Sequence, residues 1–156
     1  APLRRKSGVV SETQMQATDL SSRSSPSLVL VILAALGLWS IAIPYVGPSL
    51  GLILDVPTRL EVADHAIPGV IVAASVLVSL RRPRLEAPRQ AIFLTIAAGV
   101  AFLAGLWMTS THVPLLFEAA GGLVAWGTAL FHSIPGLLVM LLALQLFVRH
   151  LKALES

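Results

Sequence analysis

The chain has 156 residues, 56 % of them apolar and 12 % charged, and a mean hydropathy of +0.84. Soluble domains run at roughly 45–50 % and about 25 %, so this composition excludes an ordinary soluble domain and defines an integral membrane protein. A formal net charge of +3 is too small to suggest nucleic acid, and the absence of cysteine excludes disulfides, thiolate metal sites and covalent c-type haem.

Residues 1–26 are polar, rich in Ser, Thr and Gln, with Arg4, Arg5 and Lys6 near the start. They lack the apolar core and small-residue cleavage site of a signal peptide. A solvated tail is expected, and a segment of this composition holds still only when something binds it. A first membrane helix is predicted from Ser27 to Ile43, ended by Pro44, Gly47 and Pro48, with Trp39 and Tyr45 placed for a membrane interface. A loop from Leu50 to Ala63 carries Asp55, Arg59 and Glu61. The second helix ends at Leu80. Counted from Pro68 it would reach only about 20 Å, too short to span, so it must start near Arg59 to Val62. Pro68 then stands inside it and predicts a kink close to His65.

A basic, proline-broken connection follows, with Arg81, Arg82, Arg84 and Arg89. The third helix is predicted from Gln90 to Ser110, with Thr111-His112-Val113-Pro114 leading into a loop that holds Glu118, Gly121 and Gly122. In that reading His112 lies solvated at the outer interface. Gly99, Gly105, Ala97, Ala98, Ala101 and Ala104 form a small-residue stripe suited to close helix packing. The fourth helix is predicted from Leu123 to Phe147, with a kink at Pro135.

Two landmarks occur twice. Asp64-His65-Ala66-Ile67-Pro68-Gly69 returns 67 positions on as Phe131-His132-Ser133-Ile134-Pro135-Gly136, and Gly37-Leu38-Trp39 returns 68 positions on as Gly105-Leu106-Trp107. The chain therefore reads as a tandem duplication: residues 27–82 form a first two-helix repeat, 90–149 a second, and 150–156 a closing end. Ten of the eleven Lys and Arg residues lie in the tail, the 81–89 connection or the C-terminal end from Arg149 onward. Positive residues flanking short loops stay cytoplasmic, which places both termini in the cytoplasm, here of a bacterial inner membrane. Two repeats of two spans each share one orientation, so a pseudo-two-fold along the membrane normal is expected.

The segment Leu36-Gly37-Leu38-Trp39-Ser40-Ile41-Ala42-Ile43-Pro44-Tyr45, followed about twenty residues later by His65-Ala66-Ile67-Pro68-Gly69-Val70-Ile71-Val72, resembles the SPW repeat of small bacterial and archaeal membrane proteins. In that family a Gly-Leu-Trp helix ends in Ser-Pro-Trp, and a second helix opens on an Asn- or His-containing segment before Gly and a Val/Leu run. The resemblance covers Leu30 to Leu80 and, more weakly, Ile92 to Leu146. At the signature this chain has Ile43-Pro44-Tyr45 and Val113-Pro114-Leu115. The resemblance implies a four-helix membrane domain and carries over no activity.

An ionisable side chain within a membrane helix marks function by default. His65 and His132, each one turn before a proline, could ligate one haem b iron axially or each hold a chlorin magnesium. The other reading is hydrogen bonding to backbone carbonyls or hydroxyls, with Thr128 and Ser133 beside one and Asp64 beside the other. Asp64 has Phe131 as its counterpart, which does not support a symmetric proton relay. No phosphate loop, carboxylate pair, Ser/His/Asp arrangement or Cys/His zinc spacing is present, so no catalytic or metal residue is assigned. Arg4, Arg5, Lys6, Arg81, Arg82 and Arg84 set topology and could contact lipid headgroups or a partner.

Three functions follow. The first is a non-catalytic accessory subunit of a larger membrane complex, respiratory or photosynthetic, with its tail anchored on other subunits. The second is a haem- or chlorin-binding electron-transfer or pigment protein, and the third a small transporter or channel. Because the chain lacks cysteine, its topology can be read directly: Ser22→Cys and Ser156→Cys should react with an impermeant maleimide only from the cytoplasmic side, and Gly121→Cys only from the other.

Overall fold

The computed structural model describes residues 28–51, 59–81 and 86–155. The tail 1–26, with Arg4, Arg5 and Lys6, and the connection residues Arg82 and Arg84 lie outside the described residues. Four helices make up the described chain: α1 (Leu28–Val46), α2 (Arg59–Arg81), α3 (Ala87–Ala120) and α4 (Trp126–Glu155), with a short 3₁₀ turn Pro48–Leu50 after α1. Each is long and apolar enough to cross a membrane, and no strand occurs among the described residues. The protein is all-α with four spans, as its composition predicts.

The helix ends depart from the predicted ones in instructive ways. α1 runs through Pro44 to Val46 instead of stopping at Ile43. α2 begins at Arg59, and both Pro68 and Pro135 stand inside continuous helices. α4 starts at Trp126, after a turn in which Gly122 takes φ 75, and continues past Arg149 to Glu155. Its last residues include the good helix formers Leu, Lys and Ala, and Lys152 lies where the helix dipole favours a cation. The largest correction concerns α3. It does not end at Ser110 but carries Thr111, His112 and Pro114 within a helix of 34 residues. In hydrocarbon a broken helix strands its carbonyls without water, so a proline there is absorbed by the bundle where in water it would end the helix.

Successive helices are antiparallel neighbours, and α4 closes the bundle against α1. Leu33, Val72, Val76, Ala98, Ala104, Val139 and Leu146 form its core. The small-residue stripe of α3 faces inward, with Ala97, Ala98, Ala101 and Ala104 all buried.

The two repeated landmarks prove to be the two sides of each hairpin's closest crossing. A Cβ built on Gly37 would meet the Gly69 carbonyl oxygen at 3.1 Å, and one built on Gly69 would meet the Gly37 oxygen at 2.8 Å. In the second hairpin a Cβ on Gly105 would meet the Met140 backbone nitrogen at 2.5 Å, and one on Gly136 the Thr109 nitrogen at 2.9 Å. Backbone meets backbone at both places, so no side-chain rotation can make room. Gly105→Ala should therefore destabilise the protein by about 1–3 kcal/mol, the usual cost of overpacking. Gly127→Ala, with nothing within 4 Å of its added carbon, should leave it within about 0.5 kcal/mol. Denaturant unfolding in mild detergent, followed by circular dichroism, separates the two.

Candidate functional site

The close crossings bring three histidines together near the end of the bundle opposite the start of α1 and the end of α4. His65 comes from the first third of α2, His112 from the last third of α3 and His132 from the start of α4. Their ring centres are 4.7 Å apart for His65 and His112, 5.8 Å for His65 and His132, and 5.9 Å for His112 and His132. His65 and His132, counterparts in the repeat, thus meet as neighbours. So do the counterparts Ser40 and Met108, through a 4.0 Å contact from the hydroxyl to the thioether sulfur.

His112 is the member of the cluster that the sequence reading misplaced. It is 8 % exposed, buried rather than solvated at an interface, because α3 continues through Pro114 and carries the ring into the bundle. A usable signal was present: the run Leu115-Leu116-Phe117 after Pro114 is as apolar as a membrane span.

Two of the rings are held by local backbone. His112 Nδ1 donates to the Met108 carbonyl at 2.7 Å and lies 3.0 Å from the Thr111 hydroxyl. His132 Nδ1 donates to the Thr128 carbonyl at 2.8 Å. Pro68 has no N–H to give to the Asp64 carbonyl one turn back. Ser133 ties two of the helices together, its hydroxyl donating to the His112 carbonyl at 3.1 Å. Named hydrogen-bond partners thus exist for the His112 and His132 rings.

The histidines open on a recess lined also by Trp39, Ser40, Met108 and Phe131. Trp39 and Phe131 meet edge to face at 5.6 Å and wall one side of it. The recess offers about 20 Å³, room for about one water. A macrocycle shared by His65 and His132 would pass between their rings, and the His112 ring stands beside both, inside the radius of a porphyrin. The residues present do not fit a haem or chlorin held between these two histidines. Among the described residues, no group of three or more His, Cys, Asp or Glu side chains is arranged to hold a metal ion.

Of the other candidate residues, Arg81 is exposed in the last turn of α2, more than four helical turns along from His65 and apart from the cluster. No family model matches this chain, and no curated protein or solved structure is detectably similar to it. Removing the Ser133 hydroxyl tests whether the cluster is a structural joint: Ser133→Ala should cost about 0.5–1.5 kcal/mol in the same unfolding measurement, whereas substitution of the exposed Ser110, whose hydroxyl bonds only within its own helix, should cost less.

Proposed function

We propose that the chain is a non-catalytic transmembrane component of a larger membrane assembly, built on an SPW-like pair of two-helix repeats, with its polar tail as the anchor on partner subunits. The observation that carries this reading is Gln145. Its side chain is exposed on the outer face of α4, between Leu141, Leu144 and Val148, which are 50 %, 39 % and 41 % exposed. No described residue bonds its amide. An amide on a lipid-facing helix lacks the partners that water would supply, and interhelical hydrogen bonding is the common use of such a group. The outward surface is ample for further helices, since only 28–39 % of each span is buried within the chain.

Native membranes solubilised in mild detergent provide the test. The 16.5 kDa chain is expected in a particle of fixed stoichiometry with other polypeptides, and both deletion of residues 1–26 and Gln145→Leu should reduce co-purification without unfolding the helices. A chain that runs alone from native membranes, or a particle unaffected by both changes, overturns the reading.

A further inference from the structure

The outer side of α4 carries a pattern that includes Gln145 and runs well beyond it. The buried residues of this helix, Ala129, Ser133, Gly136, Val139, Ala143 and Leu146, mark its inner face. On the opposite face Ile134, Leu138, Leu141, Gln145 and Val148 follow one another at alternating steps of four and three residues, and all five are exposed. The same steps lead on to Lys152 and Glu155, both exposed as well. Alternating steps of four and three are the seam of two helices that cross at about 20° and pack knobs into holes. Seven residues fall just short of two turns of a straight helix, so such a line stays in contact only when two helices wind round each other. From Ile134 to Glu155 the line is about 32 Å long at 1.5 Å per residue.

Lipid accepts apolar residues anywhere on this face, so the polar positions of the line are the ones that specify a partner. A primary amide has both donor hydrogens and an acceptor oxygen, and two identical amides at one height therefore satisfy each other. One polar residue at an inner position of a seven-residue repeat also fixes register and the number of helices. Lys152 and Glu155 have opposite charge and stand one turn apart. Two copies of this chain share one orientation in the membrane, so a two-fold along the membrane normal brings their α4 helices together in parallel. That two-fold sets Gln145 against Gln145, and the Lys152 of each copy beside the Glu155 of the other. A second copy thus meets amide and charges by symmetry. We propose that two copies of the chain pair through α4, with the two Gln145 amides bonded to each other midway along the seam. This rests on the part of the assembly reading in which Gln145 bonds a helix outside its own chain, and it names that helix.

The chain has no cysteine, so single cysteines introduced into the full chain report its neighbours. In native membranes treated with a mild oxidant, Leu141→Cys and Val148→Cys should each give a disulfide-linked species of twice the chain's mass. Leu77→Cys on α2 and Leu103→Cys on α3, at exposed positions away from α4, should not. Sedimentation equilibrium of the full chain purified alone in density-matched mild detergent should show a dimer. Gln145→Leu should weaken that dimer by about 3- to 30-fold, the range for one hydrogen bond between membrane helices. Gln145 has no partner among the described residues, so the variant should keep the helical circular dichroism of the wild type. Absence of the seam cross-links, equal cross-linking at the control positions, a purified chain that sediments as a monomer, or a dimer that Gln145→Leu leaves unchanged each overturns the proposal. A monomer that still co-purifies with other polypeptides overturns the pairing alone. A dimer drawn from native membranes without other polypeptides supports the pairing and overturns the larger assembly.

Discussion

Everything in this bundle depends on two places where helix backbones touch. Gly37 against Gly69, and Gly105 and Gly136 against the backbone of the facing helix, bring each hairpin closer than any side chain would allow. In water the hydrophobic effect would drive the helices together. In lipid, whose chains are as apolar as leucine, packing contact itself is the main attraction, and it is strongest where side chains are smallest. The alanines of α3 extend the same logic along the length of the second hairpin, where they are buried to 8 % exposure or less.

That closeness places the histidines. His65 lies one helical turn before Gly69 and His132 one turn before Gly136, so each ring is set beside its hairpin's tightest crossing. His112 reaches them from the third helix, one turn beyond Met108, whose carbonyl receives its N–H. Prolines in α2, α3 and α4 fall within a few residues of the cluster: Pro68, Pro114 and Pro135. Local bonds from Thr, Ser and His side chains to backbone carbonyls surround them. Much of the polar chemistry of the described residues is therefore grouped where the helices carry proline, while Ser75 and Thr95 are buried nearer the other end of the bundle.

The fold was legible because the signals that define it are long. Four apolar runs, a repeat with two landmarks and an inward stripe of alanines in α3 all survive any uncertainty about individual residues. The meeting of His65 with His132 was legible as a matter of depth, since they stand 16 and 17 residues before the arginines Arg81 and Arg149. His112 was not. Thr-His-Val-Pro has the residue types that end helices in water, and rules drawn from soluble proteins count proline as a terminator. Inside hydrocarbon the unpaired backbone penalises a break more than the ring does, so the helix persists and turns an apparent loop histidine into the third member of the cluster. The span ends were misjudged for a related reason: apolarity marks where a helix must be, and not how far it continues.

The repeat also shows where the two halves have parted. At the 68- and 67-position offsets of the two landmarks, His112 falls opposite Pro44 and Tyr45 in the last turn of α1, neither of them an imidazole. A hypothetical pair of identical first halves would hold two imidazoles at this end of the bundle, and a pair of second halves would hold four. An odd number is open only to a chain in which two unequal halves are fused. The third ring thus stands where the two halves of the sequence differ, at a position where symmetry alone would have kept the count even.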